Sequence, residues 1–291
     1  MRPDGAREAA PAKVNLFLHV GPPADDGYHP IASLMVFADI GDVVTLRPAP
    51  RMAFNISGPF SGALDGAADN LVVGARDRLL ARVSQSIAPF ALDLEKNLPV
   101  AAGLGGGSAD AAASLRLMAR ALRLENQPLA EIAGSLGADV PACLHSRAVI
   151  AAGRGDVFAA APGLPRLDLV VANPGVGSST AEVYRAYDRS VRTADLPRTP
   201  ARFTDVAMVR AFLAGLRNDL ETPAISLQPR IGEVLQALRS QAEALLARMS
   251  GSGASCFALC ASAADAARLA DRLARREPGW WVRHAIVEAN P

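Results

Sequence analysis

The first readable alternation runs from Lys13 to Val20. Val14, Leu16, Leu18 and Val20 alternate there with Asn15, Phe17 and His19. That is the period of a strand with two different faces. The residues before it, Met1 to Pro11, read as a frayed tail. Gly21 to His29 is a loop rich in Gly, Pro and Asp. Ile31 to Leu46 holds one or two strands and Met52 to Ile56 another, followed by a Gly/Ser/Asp loop to Asp69. Asn70 to Val83 reads as helical, capped by Asn70, with Leu71, Ala75, Leu79 and Val83 on one side. Phe90 to Glu95 is a strand. A glycine loop over Gly103 to Gly107 then opens a helix from Ser108 to Leu122, and short helices fall near Leu129–Leu136 and Val140–Leu144.

The second half mixes the two periods in the same way. Ala148 to Ala152 and Val157 to Ala160 read as strands joined by Gly153–Gly155, and Leu167 to Ala172 as another. Ser179 to Tyr187 is helical, and Asp188 to Asp205 is a long polar loop. Val206–Leu213, Arg230–Leu238 and Ala242–Met249 are predicted helices. Cys256–Cys260, helix Ala263–Arg275 and Trp281–Val287 close the chain as β–α–β. This order argues an α+β fold. The weakest stretch lies around Ala160 to Pro165, which predicts domains over 1–160 and 161–291.

Composition narrows the chemistry. The chain carries 30 basic and 29 acidic side chains, a net charge of +1, and no basic block, which argues against general nucleic-acid binding. Only Lys13 and Lys96 are lysines; every other strong base is arginine. Where arginine is the default cation, a remaining lysine marks a place that needs a compact point charge. A Walker A loop needs a lysine after its glycines, and none follows Lys96. Cys143, Cys256 and Cys260 lie in apolar contexts and read as buried free thiols. No apolar run approaches the roughly 18–20 residues of a membrane span, and Met1 to Ala10 lacks the apolar stretch of a signal peptide. The expected compartment is the cytoplasm.

Four segments carry chemistry. In Pro99-Val-Ala-Ala-Gly-Leu-Gly-Gly-Gly-Ser108 the glycines let backbone N–H groups approach a ligand, and the helix that follows favours an anion. The segment fits a polyphosphate. It fits a Rossmann fingerprint poorly, because the sixth position is Ser108 and no strand-ending acid stands about 20 residues on. In Pro11-Ala-Lys13-Val-Asn15, Lys13 and Asn15 share one face of a strand. In Gly137-Ala-Asp139-Val-Pro141, Asp139 precedes a helix in a capping pattern. Met249-Ser-Gly-Ser-Gly-Ala-Ser-Cys256 is a small-residue loop before a strand.

Taken together, Pro-x-Lys-x-Asn, Pro-x-x-x-Gly-Leu-Gly-Gly-Gly-Ser and Ser-Gly-Ser-Gly-Ala resemble the three motifs of the GHMP kinases. They stand in the family's order and span nearly the whole chain. Asp26-Gly27-Tyr28-His29, Gly-Ala-Asp-Val-Pro and Asn173-Pro174-Gly175 resemble the members that act on a CDP-linked methylerythritol in the non-mevalonate isoprenoid pathway. The resemblance implies the two-domain GHMP kinase fold, with an N-terminal ATP-binding domain and a C-terminal α/β sandwich domain. It implies transfer of the γ-phosphoryl of ATP to the 2-hydroxyl of that small-molecule substrate, with Mg2+ accompanying ATP. The motifs identify no acidic metal ligand and leave Ser108 as the one candidate.

Carried over by motif, the ATP phosphates lie on Pro99, Val100, Ala101, Ala102, Gly103, Leu104, Gly105, Gly106, Gly107, Ser108 and Ala109. Lys96 stands just before the loop, where it could touch ATP. Asp139 is the implied general base, with Lys13 beside it and the reacting hydroxyl, and Asn15 fixing that geometry. Tyr28 and His29 are implied to recognise the cytosine end, Tyr184 to stack on the base, and Thr180 to contact substrate. Ala109 departs from the family, which often has a second serine there. The same motifs also admit another GHMP kinase, such as homoserine kinase, or a nucleotide-binding sensor that has lost catalysis. The Tyr28-His29 element speaks against the first, and retention of both Lys13 and Asp139 against the second.

Overall fold

The computed structural model describes residues 5–25, 27–64, 70–188 and 193–290. Asp26 of the Asp-Gly-Tyr-His element therefore lies outside the described residues, as do residues 65–69 and 189–192 of two expected loops. The chain forms two compact units that interleave along the sequence. One comprises Met1–Ala12, Gly41–Val100 and Gly105–Ser146; the other comprises Lys13–Ile40, Ala101–Leu104 and Arg147–Pro291. A boundary at 160 and 161 divides the chain only once.

The first unit contains the start of β1 (Ala6–Val20), the end of β2 (Ile31–Pro48), β3 (Ala53–Ser57) and β4 (Phe90–Glu95). β4 pairs antiparallel with β2 from Val43↔Glu95 to Pro48↔Phe90, and parallel with β3. Its helices are α1 (Leu71–Leu80), α2 (Gly106–Leu122), α3 (Leu129–Leu136) and α4 (Val140–His145). Asn70 caps α1 as predicted, its side chain accepting from the Val72 N–H at 2.9 Å. The centre of the unit is α2, on which α1, α3 and α4 pack. Its buried alanines (Ala109, Ala111, Ala112, Ala113 and Ala119) let neighbours come close, while Leu115, Leu117 and Met118 supply apolar bulk.

Residues 6–11 are not the frayed tail expected. β1 begins at Ala6, because Glu8 pairs with both Arg116 and Arg120 at 2.9 and 2.8 Å. Gly41 also packs so tightly that a Cβ on it would lie 2.2 Å from the Ala10 carbonyl oxygen. Alternation alone misses such a segment, since what orders it is a pair of arginines far along the chain.

The second unit is built on a four-stranded antiparallel sheet. Its strands are β7 (Leu167–Asn173), β8 (Ala244–Met249), β9 (Cys256–Cys260) and β10 (Trp281–Val287), in the order β10-β7-β9-β8. The first half of β2, β5 (Val149–Ala152) and β6 (Val157–Ala160) form a second antiparallel set. The helices are α5 (Thr180–Tyr187), α6 (Val206–Ala214), α7 (Glu221–Leu227), α8 (Arg230–Arg239) and α9 (Ala263–Arg276). The core joins Leu18 and Val20 of β1 to Val170, Ala172, Ile231, Leu235, Leu269 and Leu273. All three cysteines are buried free thiols, as expected. No helix of the described residues is long and apolar enough to cross a membrane.

Two elements depart from the sequence pattern. Ala242–Met249 is not a helix: Ala244–Met249 is strand β8, paired with β9 from Ala247↔Ala258 to Met249↔Cys256. Ala, Leu and Arg favour a helix locally, but the open edge of β9 overrides propensity. Arg248 fixes the outcome, donating to the carbonyls of Leu16, Leu213 and Leu216 from a buried position. Burial pulls its guanidinium down to about 10. Helix α7 is an addition; its Pro223 sits in the first turn, where no N–H is required.

Candidate active site

Three chemistry-bearing segments are tied together inside the second unit. The Lys13 N–H donates to the Leu104 carbonyl at 2.9 Å. The Asn15 N–H donates to Ser250 Oγ at 3.1 Å, and Ser250 Oγ donates to the Gly103 carbonyl at 2.9 Å. The Ser255 and Ser178 N–H groups donate to the carbonyls of Ala102 and Ala101, each at 2.9 Å. The lysine strand, the first half of the glycine segment and the Ser-Gly-Ser-Gly loop thus brace one another through backbone and hydroxyl groups. Gly103 has φ +72°, and a Cβ there would lie 2.3 Å from the Ser250 carbonyl oxygen. The glycine is required by the loop packed behind it as much as by any ligand in front.

Lys13 is nearly buried, and its Nζ donates to Asn15 Oδ1 at 2.8 Å. Asn15 in turn donates through Nδ2 to Ser33 Oγ at 2.8 Å, and Ser33 donates to the Phe17 carbonyl. The ammonium is therefore held by a buried polar chain. Ser250 belongs to the Ser-Gly-Ser-Gly segment that the sequence already marks, whereas Ser33 joins this hydrogen-bonded chain with no signal of its own in the strand.

In the first unit, α2 starts at Gly106, two residues earlier than expected, with Gly105 at its N-cap in the left-handed region at φ +64°. No side chain caps this end, so its leading amides suit an anion. The Ala109 N–H already serves the helix, donating to the Gly105 carbonyl at 2.8 Å. Ala109 is also buried. The amides of Gly106, Gly107 and Ser108 remain as the leading set. The loop's geometry thus fits a polyphosphate, with Ala109 behind it.

Asp139 occupies the N-cap position of α4, yet its side chain makes no capping hydrogen bond. Its carboxylate is not explained as a helix cap. Arg116 of α2 donates to the carbonyls of Cys143 and Leu144 at the other end of α4, at 2.7 and 3.2 Å.

Lys96 lies in a different setting from Lys13. It is 2% exposed, and its Nζ contacts Asp42 Oδ2 at 2.5 Å and Asp110 Oδ2 at 2.8 Å. Burial works against its charge, but the two carboxylates outweigh that and hold its pKa above the usual lysine value. Burial also drives the Asp110 carboxyl up to about 8, with Lys96 opposing the rise and Asp42 adding to it. A nucleotide could reach this ammonium only if it left both acids.

The remaining expected residues sit in the second unit. His29 and Tyr184 have ring centroids 5.2 Å apart. His29 Nδ1 donates to the Gly21 carbonyl at 2.7 Å, and Nε2 lies 2.7 Å from Asp188 Oδ1. Tyr28 is 60% exposed, with the Arg154 guanidinium 4.7 Å over its ring. Thr180 Oγ1 lies 2.8 Å from Ser252 Oγ, which joins the start of α5 to the Ser-Gly-Ser-Gly loop. Among the described residues, no group of three or more His, Cys, Asp or Glu is arranged to hold a metal ion. Magnesium carried mainly on phosphate oxygens needs no such cage.

Known proteins resemble this chain over most of its length. Residues 70–147 match the family model described as the GHMP kinases N terminal domain, and residues 205–278 match GHMP kinases C terminal. The chain belongs to the GHMP kinases. Within them, it is 54% identical over 94% of its length to the 4-diphosphocytidyl-2-C-methyl-D-erythritol kinase of Caulobacter vibrioides (strain NA1000 / CB15N), covering 96% of that protein. It is 49% identical over 95% of its length to the protein of that name from Paracoccus denitrificans (strain Pd 1222), covering 94% of it. A crystal structure of 4-(cytidine 5'-diphospho)-2C-methyl-D-erythritol kinase aligns with TM-score 0.77 and 32% identity, covering 97% of this chain and 99% of that one. The fold is shared more widely: homoserine kinase from Cytophaga hutchinsonii aligns with TM-score 0.69 at 22% identity.

Proposed function

We propose that this chain transfers the γ-phosphoryl of ATP to the 2-hydroxyl of 4-diphosphocytidyl-2-C-methyl-D-erythritol, a step of the non-mevalonate isoprenoid pathway, in the cytoplasm. The observation that carries the reading is near end-to-end similarity, at 54% identity, to a kinase named for that substrate. The bracing of Lys13, the glycine segment and the Ser-Gly-Ser-Gly loop by direct hydrogen bonds supports it. Residues 1–160 would form the ATP-binding domain and 161–291 its companion.

In this reading the amides at the start of α2 and the loop from Pro99 carry the ATP phosphates. The Asp139 carboxylate takes the proton of the 2-hydroxyl as its oxygen attacks the γ-phosphorus, and ADP leaves with the bridging oxygen. Phosphoryl transfer asks mostly for positioning and charge stabilisation, and a general base adds roughly 10²–10⁴-fold. Lys13, fixed by Asn15, supplies a point cation at the reacting hydroxyl; a guanidinium would fill the space the hydroxyl needs. Tyr28, His29 and Tyr184 take the cytosine end, where one aromatic face stacked on a base contributes roughly 1–3 kcal/mol by analogy with nucleic acids. Thr180 lies along the same substrate. Magnesium, riding on the phosphates, would offset their charge.

The test is an ATP-consumption assay with the CDP-linked methylerythritol beside homoserine and mevalonate. Turnover with the first alone is expected; turnover with another and none with the first would sink the assignment. Asp139→Asn is expected to lose kcat with modest change in KM, and a near-normal kcat would remove Asp139 as the base.

A further inference from the structure

The glycine segment leaves the first unit after Val100 and returns at Gly105. Both of its approaches converge on one buried ammonium. On the outgoing side, the Lys96 N–H donates to the Ser57 carbonyl at 2.8 Å, and its own carbonyl accepts from the Phe60 N–H at 3.2 Å. The next two residues, Asn97 and Leu98, donate their N–H groups to Asp42 Oδ1 at 2.5 and 2.8 Å. The other oxygen of Asp42 takes the Lys96 ammonium. On the returning side the same ammonium bonds Asp110, one turn into α2. Gly106 lies one turn before Asp110 on that helix, and a Cβ on it would come 3.0 Å from Lys96 Nζ. Lys96, Asp42 and Asp110 are each at most 3% exposed.

A fully buried charge cluster is costly unless it is paired and hydrogen-bonded. This one is tied to the backbone amides of Asn97 and Leu98 on the outgoing flank and to the Asp110 side chain on the returning flank, and it sits against the bare face of Gly106. A guanidinium is too broad for the space between Gly106 and two carboxylates. A Cβ at Gly106 would press on the ammonium, so the bare glycine leaves Lys96 Nζ its room between the two carboxylates.

We propose that Lys96 is a positioning residue for the nucleotide. It acts through Asp42 and Asp110 to fix the two ends of the phosphate loop, and it does not touch phosphate itself. This rests on the reading of the loop as the ATP site.

The test uses the full chain, with a fluorescent ATP analogue for equilibrium binding and steady-state kinetics for both substrates. Asp110→Ala leaves Lys96 and Asp42 as a one-to-one pair, so the chain is expected to fold. Losing a charged hydrogen bond at the first turn of α2 is expected to weaken nucleotide binding and raise KM for ATP by about tenfold. KM for the CDP-linked substrate is expected to stay within about twofold, a change of under 0.5 kcal/mol. Asp110→Asn keeps an oxygen for the ammonium and is expected to restore most of the loss, whereas Lys96→Arg is expected to behave like Asp110→Ala. Asp110→Ser gives the same comparison should the alanine variant not fold. Wild-type nucleotide affinity in folded Asp110→Ala or in Lys96→Arg overturns the proposal, and so do equal losses for both substrates. If the unaltered chain binds no ATP analogue, the ATP site itself falls. If it binds and Asp110→Ala binds equally well, only the positioning role falls.

Discussion

The ring of His29 is held on four sides. The Gly21 carbonyl takes its Nδ1 proton, Asp188 meets Nε2, and Tyr184 and Tyr187 pack against its faces and edges, with centroids 5.2 and 5.7 Å away. Tyr187 is anchored in turn by its hydroxyl to the Val20 carbonyl. Asp188 is the unusual member. It stands at the C-cap of α5, where the helix dipole disfavours a negative charge, so its position is better explained by the histidine than by the helix. With its side chain 45% exposed, the pair is screened by water and worth at most about 1 kcal/mol. Asp188→Ala is therefore expected to raise KM for the CDP-linked substrate by about two- to fivefold while KM for ATP stays put. Steady-state titration of each substrate against saturating partner checks this; an unchanged substrate KM would mean that His29 keeps its orientation without the acid.

At the scale of elements, α2 does two things at once. Its first turn closes the glycine segment, and its middle holds α4 through Arg116, which also takes Glu8 and the Ala9 carbonyl of β1. α4 is only six residues long and cannot persist by itself, so its end carbonyls depend on this guanidinium. Arg116→Met is expected to destabilise the chain by about 1–3 kcal/mol, the cost of leaving such acceptors unmet. It is also expected to lower kcat more than KM for ATP, because α4 carries Asp139. Arg116→Lys restores neither, since one ammonium cannot reach all four acceptors. Urea midpoints with parallel kinetics decide it, and a lysine variant with full kcat would refute the fork. The same helix shows what pattern reading can reach. α3, α9 and β4 fall where periodicity and caps put them, and α1 starts where expected but ends at Leu80, short of Val83; the signals are local, since Asn70 and Ser262 bond amides two and three residues on. The glycine motifs are legible for the same reason. Residues 6–11 and β8 are not, because Arg116 and β9 decide them from a distance. The candidate site divides likewise: Lys13, Asn15, Asp139 and Ser250 stand in motifs, whereas Ser33, Asp42 and Asp188 acquire meaning only from what the fold sets beside them.

For the molecule as a whole, acids and bases nearly cancel, so its overall field is weak and a few buried groups set how stability varies with pH. Their signs agree on the alkaline side. The Asp110 carboxyl is raised to about 8 from 3.8, mainly by burial, so the folded chain binds that proton more tightly than the unfolded one. Its contribution to stability is whole below the unfolded value and is lost as pH climbs through the folded one. Lys96 is raised as well, and burial raises the thiols of Cys256 and Cys260, the latter to about 12; what these contribute is also lost only as pH rises. On the acid side, burial lowers the pKa of His19, so its contribution fades as pH falls through the histidine range. The expected profile therefore declines already between about 4 and about 8, where the unfolded chain has released the Asp110 proton and the folded chain still holds it, and declines further on the alkaline side as Lys96 and the thiols titrate. Asp110→Asn removes that carboxyl while keeping its shape. The gap in unfolding midpoint between this variant and the parent is therefore expected to move in the variant's favour as pH is raised from about 5 to about 8. Chemical denaturation at a series of pH values measures it. A gap that stays constant over that span would mean that Asp110 is ionised throughout, with Lys96 balancing two carboxylates at once.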